Sequence, residues 1–229
     1  MVDDTKIQLL NPVWTSLCET HENFVIEYNN VKFYHPDICT FGAFTNEEDT
    51  YNALNEYAKL TDKFFLVSEN KTPTFDKKNI VLTKKIEGCQ MILNQLLDID
   101  IVEKIIPLSS KHIDEIYDLV WLVMPGYYQR RSFEMGDYFG IFKNNKLVAV
   151  TGQRMQSNHW TEISAVVTHP DFTRQGLAKQ LIVHTTKEIL KQNKVPILHT
   201  DIGNPAIKLY ENLGFEISRD MNWWYFSKK

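Results

Sequence analysis

Strand-like and helix-like segments alternate through residues 109–227, and this alternation restricts the chain to a few layered folds. Side chains alternate between two faces along Trp160–Thr168, which predicts a strand. Helical spacing follows over Gly176–Gln192, and the apolar run Pro196–Thr200 has the length of a buried strand. Strands that alternate with helices around one sheet indicate an α/β (α+β) fold.

The other elements of this half show the same two periods. In the strand Trp160–Thr168, one face is assigned to Ile163, Ala165 and Val167 and the other to Glu162, Ser164 and Val166. The further predicted elements are a helix capped by Ser109 or Ser110, strands over Tyr138–Lys143 and Lys146–Arg154, a short helix over Pro205–Asn212 stopped by Gly214, and strands over Phe215–Ser218 and Trp223–Ser227.

The first 97 residues have the pattern of a smaller α+β domain. We place the domain boundary in Leu97–Asp100, which gives an N-terminal domain over residues 1–97 and a second domain over residues 98–229. The elements predicted in the first domain are helices over Pro12–Glu22 and Glu47–Leu60, a strand within Val31–Phe44, strands over Phe64–Val67 and Ile80–Leu82, and a loop over Asn70–Asn79.

Charge and cysteine content exclude several classes of protein. The net charge of −4 gives no concentrated cationic surface, so nucleic acid is not an expected partner. Cys18, Cys39 and Cys89 are too far apart for a disulfide framework, and no apolar window reaches the ~20 residues of a membrane span. We therefore expect a soluble cytoplasmic protein without a membrane partner. Cys18 with His21, and His35 with Cys39, lack the four-ligand pattern of a zinc site, so no metal is expected.

The segment from Val166 to Ala178 has the pattern of a phosphate-binding turn. A strand ends, a tight turn follows, and a helix begins at Gly176 and Ala178. Helix N-termini present unpaired N–H groups with partial positive charge, and small residues let the main chain approach a phosphate. An ordinary connection between a strand and a helix is the alternative interpretation.

A second motif, Asn204–Phe215 with the sequence NPAIKLYENLGF, follows the predicted strand Pro196–Thr200. The two motifs at this separation resemble the GNAT acetyltransferase superfamily, in which a Q/R-x-x-G-x-G/A turn holds the pyrophosphate of acetyl-coenzyme A and an N…A…LYE-x-LGF segment borders the thiol. Thr161–Val166 and Leu198-His199 are also similar to a bacterial subgroup related to the C-terminal half of glycine N-acyltransferases.

The resemblance, which covers about residues 101–229, implies a mixed, mainly antiparallel sheet flanked by helices. It implies acetyl-CoA as acyl donor, a small-molecule amine, amino acid or peptide as acceptor, no metal, and a monomer or homodimer. The residues it assigns to coenzyme A binding are Val166, Val167, Thr168, Thr173, Arg174, Gln175, Gly176, Leu177, Ala178, Lys179, Asn204, Ala206 and Tyr210.

The chain departs from the family pattern in both motifs. Thr173 stands where Arg or Gln is usual, and Arg174 stands where many members have Gly. Thr173 can cap the helix, and Arg174 can add a charge-assisted phosphate contact. One residue fewer lies between Asn204 and Ala206, which leaves the placement of Asn204 open.

Acetyl transfer needs a neutral amine, a donor for the developing oxyanion and a proton for the departing thiolate. The resemblance implies direct attack in a ternary complex, with Tyr210 as the acid; packing in the core is its alternative role. Glu162 is the candidate base, directly or through water, and His199 is the other candidate. Amide groups near Val166 and Val167 can meet the pantetheine arm only if the neighbouring strands splay apart.

Acceptor recognition has two candidate segments. In Tyr127–Arg131, Arg130 or Arg131 can bind a carboxylate, or the segment is a solvated basic loop. The aromatic run Trp223–Phe226 can wall an acceptor pocket or pack the last strand. Three functions follow: an acetyl-CoA-dependent N-acetyltransferase as the leading hypothesis, a longer-chain acyltransferase of the glycine-conjugating type, and a noncatalytic acyl-CoA sensor.

Overall fold

One mixed sheet of eleven strands runs through the computed structural model, which describes residues 8–69, 71–97, 99–126 and 128–229. The strands are β1 (Val25–Tyr28), β2 (Val31–Tyr34), β3 (Phe41–Phe44), β4 (Lys63–Ser68), β5 (Ile80–Leu93), β6 (Ile105–Pro107), β7 (Tyr138–Lys143), β8 (Lys146–Gln156), β9 (Trp160–Thr168), β10 (Val195–Asp201) and β11 (Phe215–Lys228). The helices are α1 (Pro12–Cys18), α2 (Thr50–Tyr57), α3 (Ile113–Val123), α4 (Leu177–Lys191) and α5 (Ala206–Glu211), with 3-10 turns over Glu22–Phe24, Ser110–His112, Arg130–Met135 and Pro170–Phe172.

The strand order across the sheet is β1-β2-β3-β4-β11-β5-β10-β9-β8-β7-β6. Neighbouring strands are antiparallel except for β3 beside β4 and β9 beside β10, which are parallel. A mixed, mainly antiparallel sheet flanked by helices confirms the predicted fold class.

Helices cover both faces of the sheet. Adjacent residues of one strand point to opposite faces, so they show which helix covers which face. Ile197 of β10 packs with α1, whereas Leu198 packs with α4 and α5. Trp223 of β11 packs with α1, whereas Trp224 packs with α2. The α1 and α3 helices therefore cover one face, and α2, α4 and α5 cover the other.

Both halves of the chain contribute strands to this sheet. β5 lies between β11 and β10 and is antiparallel to both. The predicted boundary between residues 97 and 98 follows β5, and it stays a prediction; Asp98 lies outside the described residues. The strand that ends the first half is thus in the middle of a sheet to which the first half supplies five strands and the second half six.

Three sequence predictions of strand and helix extent were wrong. Phe215–Ser218 and Trp223–Ser227 belong to the single strand β11, because a bulge between Ile217 and Arg219 absorbs the break in pattern. The predicted strand Ile80–Leu82 is the start of the much longer β5, whose charged residues pair with β11 at the surface. The helix expected from Ser109 or Ser110 begins instead at Ile113, after a 3-10 turn.

The described ranges contain neither a membrane-spanning helix nor a cluster of metal ligands. No helix there has the length and hydropathy to cross a membrane. No group of three or more His, Cys, Asp or Glu side chains in those ranges is arranged to hold a metal ion.

Candidate functional site

β9 contains a bulge where it pairs with β8. Val167 is opposite Val150 of β8, but Ser164 is opposite Gly152, so two residues of β9 face one residue of β8. Ala165 takes up the extra length with a left-handed φ of 50°, which a residue with a Cβ adopts only when its surroundings require it.

The bulge changes which face each side chain occupies. Ile163 and Val166 pack with α4 and α5, whereas Ala165 and Val167 pack with α3. The predicted grouping of Ile163 with Ala165 and Val167 is therefore wrong, because strict alternation holds only in an unbulged strand.

β9 and β10 separate beyond their first few residues. Their parallel pairing covers Trp160 with Val195, Thr161 with Pro196 and Glu162 with Ile197, and no further pair is formed in the described chain. A cavity of about 390 Å³ lies in the opening. Its walls include residues 163–166 of β9, His199 of β10 and Tyr210 of α5, so it reaches from one face of the sheet to the other.

The turn before α4 presents free main-chain donors. The first backbone hydrogen bond of α4 runs from the N–H of Gln180 to the carbonyl of Gly176, which leaves the N–H groups of Leu177, Ala178 and Lys179 without a partner in the described chain. Gly176 is the N-cap with a φ of 74°, and a Cβ at this position would meet no atom within 4 Å. The turn is therefore open to an anion.

Thr173 and Arg174 precede these donors. The hydroxyl of Thr173 donates to the carbonyl of Pro170 at 3.1 Å, so the expected cap by Thr173 is wrong and Gly176 occupies the cap. Arg174 has a left-handed φ of 60° and is exposed. Its side chain is available for a contact with a bound anion.

The second motif lies beside the cavity. Asn204 donates from Nδ2 to Thr200 Oγ1 at 2.8 Å and accepts the N–H of Ala206 on Oδ1 at 2.9 Å, which holds the start of α5 against the end of β10. Asn204, Ala206 and Tyr210 all line the cavity. The shortened spacing in this motif therefore still brings Asn204 to the site.

Tyr210 is buried with only 8% of its surface exposed, and it lines the cavity from the side of α4 and α5. Burial raises the pKa of its phenol to about 12. The hydroxyl has no hydrogen-bond partner among the residues that the structure describes. The phenol is thus a protonated donor at neutral pH.

Glu162 is fully buried in a network of polar side chains. Arg154 donates to both carboxylate oxygens, from Nη2 at 2.6 Å and from Nε at 2.8 Å, and His199 Nδ1 lies 2.7 Å from Oε1. Gln90 Nε2 donates to the carbonyl of Leu9 and contacts His199 Nε2 at 3.1 Å. Because the Gln90 amide donates to Nε2 of His199, this nitrogen acts as an acceptor. The imidazole proton is therefore assigned to Nδ1, which donates to Glu162.

The network determines the protonation state of Glu162. Burial raises the pKa of this carboxyl, but Arg154 and His199 outweigh burial and hold the pKa at about 2. The carboxylate is ionised at neutral pH and its hydrogen-bonding capacity is used by protein groups. The His199 side chain is only 1% exposed, so both candidate bases are closely enclosed.

Hydrophobic residues from four strands, β3, β4, β5 and β11, wall the cavity on the face opposite Tyr210. They are Phe41, Phe65, Ile86 and Trp223. We call this the aromatic chamber, and Arg154 forms part of the same lining. The sequence analysis did not identify Arg154 as a residue of the site. The signal that could have identified it is a cation near the end of an apolar strand, β8, next to the strand that carries the buried Glu162.

The predicted aromatic run divides between the two faces of the sheet. Trp223 lines the cavity, whereas Trp224 and Phe226 pack with α2 on the other face. Tyr225 stacks on Phe65, with ring centroids 4.6 Å apart. Of this run, only Trp223 is among the described residues that line the cavity, and the other three pack around the last strand, as the alternative interpretation expects.

The predicted basic segment lies outside the cavity. Arg130 pairs with Asp114 and covers the ring of Tyr117, and Arg131 forms a two-point pair with Glu134. These pairs are half-exposed, and neither arginine is part of the cavity lining. Tyr127 lies outside the described residues. The structure thus does not bring Arg130 or Arg131 to the acceptor side.

The candidate metal pairs have other roles. His21 is buried and hydrogen-bonds Ser16, Tyr34 and the carbonyl of Met135, whereas Cys18 is exposed. Cys39 is buried, and burial raises the pKa of its thiol to about 11. In each candidate pair, one residue is thus buried and the other, Cys18 or His35, is exposed.

Comparisons with known proteins agree with this geometry. A sequence model of the FR47-like protein family matches residues 138–224. A Novosphingobium aromaticivorans structure assigned to the GNAT family of acetyltransferases has 25% sequence identity and a TM-score of 0.86, with 96% of this chain and 98% of that one covered. A GCN5-related N-acetyltransferase from Kribbella flavida, 13% identical with a TM-score of 0.60 and coverage of 89% and 88%, shares the fold.

A curated relative matches a shorter region. The UPF0157 protein YqkA of Bacillus subtilis is 28% identical over 79 residues, which are 34% of this chain and 23% of that protein. The chain thus spans about a quarter of the length of this relative. The splayed β9 and β10, the open turn before α4, the FR47-like match and the full-length structural likeness together support the resemblance to the GNAT superfamily.

Proposed function

We propose that this chain is an N-acetyltransferase that moves the acetyl group of acetyl-CoA to a primary amine of a small molecule, amino acid or peptide. The observation that carries the proposal is the cavity between β9 and β10. It joins Asn204, Ala206 and Tyr210 on one face of the sheet to the aromatic chamber on the other, and β9 leads from its wall to the turn before α4. A thioester and an amine can therefore meet within the sheet in a ternary complex.

Coenzyme A binding is assigned to both motifs. The free N–H groups of Leu177, Ala178 and Lys179 would hold the pyrophosphate, with Arg174 adding a charge-assisted contact. The main chain of β9 beyond Glu162 has no partner from β10, so it is available to the pantetheine arm. The remaining residues assigned to this substrate are Val166, Val167, Thr168, Thr173, Gln175, Gly176, Asn204 and Ala206.

Tyr210 is the proposed acid. The amine nitrogen attacks the thioester carbonyl carbon, the carbon–sulfur bond breaks, and the phenol of Tyr210 gives its proton to the departing thiolate. Among the described residues that line the cavity there is no cysteine, which supports direct attack over an acyl-enzyme.

The proposal also requires a base that accepts the proton of the attacking amine. Glu162 as base stays a prediction, and its paired, buried carboxylate with a pKa of about 2 is a weak acceptor for an ammonium proton. Water at the open mouth of the cavity is the alternative acceptor, with Glu162 acting as a positioning residue for Arg154 and His199.

The proposal is tested with the purified protein, acetyl-CoA, CoA and a panel of primary amines. We expect both nucleotides to bind by calorimetry and thiol release from acetyl-CoA to require an amine. Binding without thiol release for any amine would favour an acyl-CoA sensor. If a longer acyl-CoA were turned over faster than acetyl-CoA, the preferred acyl donor would be the longer acyl-CoA.

A further inference from the structure

The aromatic chamber is built mainly by the first half of the chain. Phe41 lies on β3, Phe65 on β4 and Ile86 on β5, and Trp223 of β11 completes the wall. All four belong to the cluster that packs with α1, on the face opposite α4 and α5. An acceptor that reaches the thioester from this face must therefore pass these side chains.

The cavity beside the chamber is lined by two charged side chains, Arg154 and the exposed Asp201 at the end of β10. Its cation, Arg154, forms a two-point pair with Glu162 and lies over the ring of Phe41, with the guanidinium carbon 4.8 Å from the ring centroid. The pair cancels charge at the point where the chamber meets the cavity. A second positive charge on an acceptor would find no free carboxylate on Glu162 and would lose hydration.

The rings of the chamber are held in place. A Cβ on Gly88 would lie 2.5 Å from Cζ3 of Trp223, so the indole rests directly against the main chain of β5. The indole is also T-shaped against the ring of His199, with ring centroids 5.6 Å apart at 77°. Phe41 and Phe65 are edge to face at 5.4 Å. A fixed set of ring faces and edges binds a planar apolar group with little loss of side-chain entropy.

We propose that the acceptor is a primary amine that carries an aromatic group, which the aromatic chamber of Phe41, Phe65, Ile86 and Trp223 recognises. The inference rests on the proposed function, because it names the acceptor class of that site. Aromatic pairs contribute beyond the area they bury, so a matched aromatic amine is expected to exceed an aliphatic one by about tenfold in kcat/KM.

The experiment compares phenethylamine with n-butylamine and with butane-1,4-diamine, at saturating acetyl-CoA. Phenethylamine is expected to have the highest kcat/KM, and the diamine the lowest. An equal or higher kcat/KM for the diamine or for n-butylamine would overturn the inference.

Variants locate the preference in the chamber. Trp223→Leu should reduce the phenethylamine to n-butylamine ratio of kcat/KM to near one, whereas Trp224→Leu, the neighbouring tryptophan on the other face, should leave that ratio unchanged. Phe41→Leu is the second chamber variant, and it decides the outcome if Trp223→Leu does not fold. A ratio that survives in the folded chamber variant would contradict the assignment.

A binding measurement separates this inference from the proposed function. Phenethylamine is titrated into the CoA-saturated protein by calorimetry. Binding that Trp223→Leu or Phe41→Leu weakens, in a protein that transfers no acetyl group, would support the chamber and contradict the transferase. Transfer to amines without preference for the aromatic one would contradict the chamber and keep the transferase.

Discussion

Tyr210 is the residue on which the proposed chemistry depends most directly. We expect Tyr210→Phe to lower kcat by roughly 10²–10⁴, the usual contribution of a general acid. CoA affinity and melting temperature should change little, because the hydroxyl has no protein partner to lose in the described chain. Steady-state kinetics, calorimetry and thermal unfolding check the three expectations.

Two outcomes would contradict this role of Tyr210. If Tyr210→Phe kept the wild-type kcat under conditions in which chemistry is rate-limiting, the role of Tyr210 would be packing alone. A large fall in melting temperature together with lost CoA binding would also assign the hydroxyl to structure. Since the pKa of the phenol is about 12, we expect no loss of kcat from its ionisation below pH 10.

Glu162 makes a prediction about stability as well as rate. Its pKa is lowered from 4.5 to about 2 in the folded protein, so its stabilisation is present above pH 4.5 and is lost as the pH falls towards 2. Glu162→Gln leaves Arg154, whose side chain is 22% exposed, without its partner, which we expect to cost about 3 kcal/mol of unfolding free energy at pH 7. The difference in unfolding free energy between Glu162→Gln and the wild type should become smaller in acid. Denaturant unfolding at several pH values measures this difference.

The matched control for Glu162 is Glu134→Gln, which breaks an arginine pair at the surface. Such pairs contribute about 0–1 kcal/mol, so this variant should unfold almost as the wild type does. A base role would add a separate signature: the rate of Glu162→Gln should recover in alkaline solution as free amine accumulates. If the pH–rate profile of Glu162→Gln had the same shape as that of the wild type, the base would be water or His199.

At the scale of elements, the turn before α4 is tested at Gly176. Gly176→Leu strains a left-handed residue and fills the open space in front of the free N–H groups. The leucine side chain would occupy the space in which the pyrophosphate approaches the N–H groups, so we expect CoA affinity to fall by roughly tenfold or more. The backbone strain of about 1–2 kcal/mol lowers the stability of the folded protein instead. Calorimetry on the folded variant measures the change.

Gly126→Leu is the strain-matched control for this element. Gly126 has a φ of 99° and equally open surroundings, but it follows α3 and lies away from the turn. Its substitution should leave CoA affinity unchanged. Unaltered affinity in Gly176→Leu would remove the turn from the site.

For the whole molecule, the position of β5 predicts that residues 98–229 do not fold alone. Without β5, both β11 and β10 lose a neighbour and expose unpaired edges. We expect the isolated segment to lack a cooperative unfolding transition and to regain one when residues 1–97 are co-expressed with it. Cooperative unfolding of the isolated segment, followed by circular dichroism, would support the boundary at residue 97 as a true domain boundary.

Some of this architecture is readable from sequence because it depends on near neighbours in the chain. The bounds of β9 and the turn at Gly176 follow from alternation, helical spacing and a residue that tolerates positive φ. Tyr210 follows from an unbroken motif. In each case, the residues that determine the feature lie within a few positions of one another.

The remaining features were decided by tertiary structure. The bulge at Ala165 depends on its register with β8, and the insertion of β5 depends on pairing with strands more than 100 residues away. Arg154 and Glu162 meet between the adjacent strands β8 and β9. Trp223, rather than Trp224, faces the cavity because of the pairing of β11. Strand pairing brings together residues far apart in sequence, and local periodicity contains no information about which strands pair or which face then borders a cavity.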